Sequence, residues 1–479
     1  MGIKESVVVT GIGVLSPIGA SVAELAASLA ETRSGIQLVQ AAPMKYGYPA
    51  GVVRQDPEKQ FTSLELVYLD RCQQLAIVAA RDAISDAGLD QFDKFGARAG
   101  LYYGNVSGGA ATAQHCYQQL LCEGKQAPKP FAIMSIMQNG GAAQISIRHA
   151  ISGPVHTHCS ACTSSGTAIG EAARAIRDGY LDIAVAGGAE APLAAGMFSA
   201  FEGARALARA DPRDVALSCK PFSMDRSGLV LGEGAAFLVL ESGRHARRRG
   251  ARCLARVAGY GIAADACHIA VPSAEGQAKA IRLALADAAL EPAQIDYFNA
   301  HGTATRGGDL IEAAAIRSVF GTGSASVPVS STKALHGHLL GCASALESIV
   351  AIIAVTQGIL PATAVLHQPD PGCVLNHIAN KSLQGQEINR AMSLSCGFGG
   401  TNVALVISKH LTLLCHVTHA DVGVSGRRIE DTGRKSWDAA RREWRGVLPA
   451  VMVEVADLVR WLLFFSPACK LLAKRRCCR

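Results

Sequence analysis

Tryptophan is nearly absent from this chain: three of 479 residues, at 437, 444 and 461, within an aromatic content of 5%. All three lie beyond residue 409, so a long first stretch is built without Trp and the composition breaks there. A charge bias is also missing from that stretch. The formal charge is +7, but residues 410–479 hold thirteen Lys or Arg against seven Asp or Glu, which leaves about +1 for the rest. Without a basic stripe interleaved with aromatics, nucleic-acid binding is not expected. A secretory leader is not expected, because Met1-Gly2-Ile3-Lys4-Glu5 runs directly into Val7-Val8-Val9. Two apolar stretches are too broken to span a membrane: residues 131–151 are interrupted by Gln138, Gly140 and Gly141, and residues 448–473 by Glu454, Asp457, Arg460 and Lys470. The 15 cysteines are odd in number and scattered, which fits reduced thiols in a cytoplasm.

What is present is a packed α/β composition, 49% hydrophobic with 49 glycines. Its length suffices for two or three core-sized units. Residues 155–188, VHTHCSACTSSGTAIGEAARAIRDGYLDIAVAGG, read as strand, tight turn, helix and strand, with apolar positions at Ala168, Ile169, Ala172, Ala173 and Ile176. Cys162 falls at or just before the helix N-terminus, where the helix dipole and unpaired N–H groups are expected to favour thiolate. A buried structural cysteine is the plainer alternative. Cys159-x-x-Cys162 also has the spacing of a redox pair, but not the strand pattern that such a pair accompanies.

The first unit opens with a strand at residues 7–10 and Gly11-Ile12-Gly13, then a helix announced by Ser21 and Glu24. Ser16 stands where a dinucleotide-binding G-x-G-x-x-G would have its third glycine, so close strand–helix packing explains these glycines better. A long helix over residues 70–86 and a strand over 99–103 follow. Residues 220–228 read as a polar loop, and 229–241 as a strand pair. The pattern then restarts: ARVAGYG at 255–261 echoes VVVTGIG at 7–13, and Asp287-Ala288-Ala289-Leu290 before a strand echoes Asp86-Ala87-Gly88-Leu89. The order is the same in both stretches, which implies a duplicated α/β unit with halves of about 3–252 and 253–409.

Aligning Glu347 with Glu171 places His338 opposite Cys162, so two helix N-termini are expected to converge on one site. His301, in NAHGTAT, ends a strand where ligands collect in parallel α/β sheets, with Asp309 placed to cap the next helix. Lys333, in SSTK, ends the next strand, and CGFGGTN at 396–402 is a glycine-rich turn between two more.

Together, the Cys162 turn followed by AGGAEAPL, KPFSMDRSGLVLGEGAAFLVLES, NAHGTAT, SSTKALHGHLLG and CGFGGTN resemble the elongating β-ketoacyl-acyl carrier protein synthases of the thiolase superfamily. The resemblance spans about residues 3–409. It implies a five-layered αβαβα thiolase-like fold, a homodimer or related heterodimer, and decarboxylating Claisen condensation with acyl carrier protein as partner and no metal or redox cofactor. Cys162 would carry the acyl chain, and His301 and His338 would hold the malonyl thioester and promote loss of carbon dioxide. The N–H groups of Cys162 and Phe398 would form the oxyanion hole. Lys333 and Glu312 match a supporting ion pair, Phe398 the gate of the acyl pocket, and Ser107 and Cys396 positions that shape that pocket; Cys396 stands where the family commonly has Phe. Two other readings are a degradative thiolase using Cys396 as base and a non-catalytic, chain-length-setting subunit. The basic tail at 410–479 lies outside the family pattern, and Trp461-Leu-Leu-Phe-Phe before Lys474-Arg475-Arg476 offers a weak membrane-surface contact.

Overall fold

The computed structural model describes residues 5–126, 130–321 and 326–410. The tail beyond, with its proposed membrane contact, lies outside the described residues. Ten strands carry the architecture: β1 (Val7–Leu15), β2 (Ala99–Gly104), β3 (Val155–His158), β4 (Ile183–Glu190), β5 (Gly234–Ser242), β6 (Ala255–Ala264), β7 (Tyr297–Asn299), β8 (Pro328–Ser330), β9 (Arg390–Cys396) and β10 (Thr401–Lys409). They lie in the order β3-β2-β4-β5-β1 and, continuing across β1 and β6, β6-β10-β9-β7-β8, with a short eleventh strand at Asn376–His377. Within each set of five the spatial order is 3-2-4-5-1. The strand directions repeat as well: the first strand is antiparallel to the fifth, the fifth to the fourth, and the remaining pairs are parallel.

The duplication extends to single atoms. A Cβ on Gly11 or Gly13 would come within 2.2 or 1.9 Å of the carbonyls of Ala83 and Ala79 on helix α1 (Arg71–Asp86). Gly259 and Gly261 repeat this at 2.3 and 2.1 Å against Ala284 and Ala280. The peptide between each glycine pair donates to an aspartate at its helix end, Ile12 to Asp86 and Tyr260 to Asp287. Both strands bulge one residue before the pair. These glycines let a backbone approach a helix, and no dinucleotide-binding role is needed.

Two helices lie between the half-sheets: α2 (Ser164–Arg177), and α5 (Ala343–Gln357), which follows the 3-10 turn Leu340–Cys342. Each packs against strands of both halves, and a Cβ on Gly166 would come within 2.9 Å of Ser344. α3 (Ala274–Ala288) covers the second half-sheet as α1 covers the first, with α4 (Arg306–Phe320) beside α3. The stretch Leu340–Gln357 is long and apolar enough to cross a membrane, but 89% of it is buried in the protein. Alternating helix and sheet layers around this buried pair give the thiolase-like fold.

Local expectations shift in three places. Ser21 caps its helix as read, but Glu24 returns to the N–H of Ala20 rather than of Ser21. Residues 229–241 divide between Leu231–Gly232, in a separate three-stranded sheet, and β5. The stretch 220–228, expected as a polar loop, is largely buried, because Arg226 reaches inward to Asp370 and to the carbonyls of Thr305 and Arg306.

Candidate active site

Cys162 sits on the turn entering α2, two residues before its first helical residue. The preceding Ala161 is held at φ +53°, a left-handed conformation that a β-carbon disfavours. Neighbouring hydroxyls hold it there: Ser164 Oγ donates to the Ala161 carbonyl at 2.6 Å and accepts from Ser160 N–H at 3.0 Å. From the other half, Ser344 Oγ donates to the Cys162 carbonyl at 3.1 Å. The thiol is thereby fixed against the start of α5.

His338 Nε2 lies 2.9 Å from Cys162 Sγ. Its backbone is pinned on both sides, its N–H donating to Val230 and its carbonyl accepting from Gly232. Its residue precedes the 3-10 turn rather than α5 itself, so it stands further from a helix start than Cys162 does. His301 packs edge-on against His338, with ring centroids 5.2 Å apart. One ligand-capable atom each from Cys162, His301 and His338 falls within 4.8 Å of the other two. All three residues are buried and line one cavity of about 900 Å³, together with Phe398 and Cys396. Phe398 is 55% exposed, with its ring near Phe201.

The expected lowering of the thiol pKa is not what the site produces. Burial pushes Cys162 up to about 12, against the opposing pull of the Lys333 charge and the Phe398 N–H. Together these two influences do not offset removal from water. Burial, then the Lys333 ammonium, holds His301 and His338 well below the ordinary imidazole value, so both rings are neutral.

The Lys333–Glu312 ion pair is corrected. Lys333 is fully buried and pairs with Glu347 of α5, itself fully buried. Glu312 instead accepts the N–H groups of His301 and Gly302, at 2.6 and 2.7 Å. It positions the His301 loop directly, and burial raises its carboxyl to about 8 despite these donors. Asp309 likewise does not cap α4 through the N-cap Thr305. Buried in the first turn, it accepts from Ala304 and from Phe222.

Ser107 faces a carboxylate next to the cavity. Its hydroxyl and N–H both go to the buried Glu190, and Val106 lines the cavity in its place. Cys159 is exposed beside the Gln138 amide, whereas Cys162 lines the cavity. Sequence reasoning did not find Glu190 or the role of Glu347. Their signal was a glutamate closing an apolar strand and another inside an apolar helix, where an acid requires partners.

The sequence model for the β-ketoacyl synthase N-terminal domain matches residues 4–246, and that for the C-terminal domain residues 254–367. The chain belongs to the β-ketoacyl synthase family. It is 38% identical over 405 residues to Nodulation protein E of Rhizobium meliloti, covering 84% of this chain and 99% of that one. It is 36% identical over 414 residues to 3-oxoacyl-[acyl-carrier-protein] synthase 2 of Staphylococcus aureus, covering 85% and 99%. Among solved structures, the ishigamide ketosynthase/chain length factor superposes with TM-score 0.79 at 33% identity, over 85% of this chain and 100% of that one. A type II PKS acyl-carrier protein in complex with its ketosynthase bound to the hexaketide gives TM-score 0.77 at 30% identity, with the same coverage. This synthase is therefore a condensing acyltransferase with a thiolase-like fold.

Proposed function

We propose that the synthase extends an acyl chain held on Cys162 by two carbons taken from a malonyl group on an acyl carrier protein. The observation that carries this reading is the convergence of Cys162, His301 and His338 on one buried cavity, with the thiol 2.9 Å from His338. In the first step the Cys162 sulfur attacks an acyl thioester, forming a new thioester and releasing the carrier thiol, which takes the Cys162 proton. Neutral His301 and His338 then donate N–H groups to the malonyl thioester carbonyl. The carboxylate leaves as carbon dioxide, and its electron pair passes into the enolate stabilised by those donors. The enolate carbon attacks acyl-Cys162, with the new oxyanion facing the N–H groups of Cys162 and Phe398. The C–S bond breaks, the departing Cys162 thiolate takes a proton from solvent, and 3-oxoacyl-carrier protein departs.

Burial, reinforced by the Lys333 charge, keeps both imidazoles neutral, and Glu312 fixes the His301 backbone. Phe398 screens the cavity mouth, and Cys396 widens its wall for a fatty or specialised acyl chain. A chain-length-setting subunit needs no acyl-carrying thiol, and Cys162 is retained. A thiolase would use Cys396 as base, but the group placed on Cys162 is His338. The outer edge of β3 is unpaired among the described residues, with Val155 and His156 exposed, which supports assembly with a second copy or a related subunit. We place the reaction in the cytoplasm, where the free cysteines of the described residues stay reduced.

Incubation with a panel of acyl carrier proteins, read by intact mass and by carbon dioxide released from malonyl-carrier protein, tests this function. Acyl-Cys162 together with released carbon dioxide is expected; acyl-enzyme without carbon dioxide release would contradict it.

A further inference from the structure

Glu190 ends β4, a strand otherwise built from small and apolar residues, and is completely buried. The condensing chemistry gives it no part. One carboxylate oxygen accepts the N–H groups of Val106 and Gly341, each at 3.0 Å; the other accepts the Ser107 N–H, also at 3.0 Å, and the Ser107 hydroxyl. Those donors come from two different halves of the molecule. Val106 follows β2 in the first half, while Gly341 follows the His338 turn in the second. Val106 and Leu340, the residue before Gly341, both line the cavity that holds Cys162.

The two loops are already in contact at this point. A Cβ on Gly341 would come within 2.7 Å of the Glu190 carboxylate and 3.0 Å of the Val106 nitrogen. Leu340 is held at φ +41°, a conformation that a branched side chain adopts only when its surroundings impose it. Only a carboxylate presents acceptors on both sides to all four donors. A glutamine would have to turn its NH2 group towards N–H groups and leave buried donors unpaired.

We infer that Glu190 is a positioning residue which, by clamping Val106 to the Leu340–Gly341 turn, fixes the width of the acyl cavity and so sets the chain lengths that Cys162 accepts. This rests on the condensing function proposed above. The carboxylate touches neither the reacting sulfur nor the imidazoles, so its removal should alter discrimination between chains more than it alters decarboxylation.

The test uses the full chain and pantetheine thioesters from butyryl to palmitoyl as probes, with the acylation rate of Cys162 followed by intact mass. Carbon dioxide release from malonyl-pantetheine and thermal unfolding are measured alongside. In Glu190→Gln the steepest step in the wild-type chain-length profile is expected to become about tenfold shallower, with a much smaller change in decarboxylation. A profile with the wild-type steps would overturn the inference. So would acylation and decarboxylation falling in parallel with the melting temperature, which a purely structural role produces. If Glu190→Gln does not fold, Ser107→Ala, which removes one donor of the four, decides: about a threefold change in the same step supports the clamp, and no change overturns it. Wild-type protein that neither acylates at Cys162 nor releases carbon dioxide would instead refute the condensing function, an outcome separate from all of these.

Discussion

Glu171 and Glu347 occupy equivalent positions on α2 and α5, nine residues after Cys162 and His338 respectively, and their surroundings differ sharply. Glu171 is partly exposed, its side chain 34% accessible and paired with Arg174 on its own helix. Glu347 is fully buried and holds the ammonium of Lys333, whose charge adds to burial in keeping His301 and His338 neutral. The same strand order, glycine pair and aspartate anchor therefore carry two chemistries. In the proposed reaction, the first half supplies a thiol on a constrained turn to receive the acyl chain. The second half sets a buried cation and its counter-ion behind two imidazoles, which in that proposal act on the other substrate. Duplication sets where the groups meet, and the charges each half buries decide what they do.

The largest effect that would break this comparison is expected at the thiol. Cys162→Ala should lower acyl transfer by about 10⁴-fold or more, because it removes the sulfur that forms the acyl thioester. Acyl-enzyme formation at near-parental rate would show that the first half does not carry the chain. Next in size are the imidazoles: His301→Ala and His338→Ala should each slow malonyl decarboxylation by about 10²–10³-fold, the usual loss for one oxyanion donor. Their Cys162 should still accept an acyl group, as mass spectrometry would reveal.

Lys333→Met leaves Glu347 buried without its partner, for an expected stability loss of about 3–5 kcal/mol in urea unfolding. Lys333→Met/Glu347→Leu should recover most of that stability but not the activity. The pH profile sharpens the point. The folded histidines are depressed well below 6.5, first by burial and then by Lys333, so they remain neutral as pH falls through 6.5, and the acid limb of decarboxylation should lie below it. Removing the Lys333 charge should move that limb upward; an unmoved limb would mean that burial alone keeps the rings neutral.

The smallest predicted effect concerns the shared scaffold. Gly13→Ala and Gly261→Ala should each cost about 1–3 kcal/mol, and by similar amounts, since each new Cβ would meet a helix carbonyl. Clearly unequal values would show that the two strand–helix contacts are not equivalent.

The features that could be read from the sequence were those expressed by local spacing. The repeated G-x-G pairs, the aspartates at the helix ends and the nine-residue offset that set His338 against Cys162 all lie within one supersecondary unit. Side-chain partnerships were harder to see. Lys333 has Glu312 and Glu347 within the same half, and sequence spacing does not say which of them reaches the ammonium. The structure gives Lys333 to Glu347 and turns Glu312 to the backbone of His301 and Gly302. Local reasoning also misjudged the thiol: the turn before α2 favours thiolate, but the depth of the cavity, set by both halves together, raises its pKa. The clamp at Glu190 depends on loops 235 residues apart meeting at one carboxylate, a closeness that only the folded sheet creates.

Carbon dioxide release from carboxyl-labelled malonyl-carrier protein by the Cys162→Ala variant tests the division of labour most directly. The account predicts release that persists without the thiol and disappears when His301→Ala is added. Release lost in Cys162→Ala alone but retained in His301→Ala alone would contradict it.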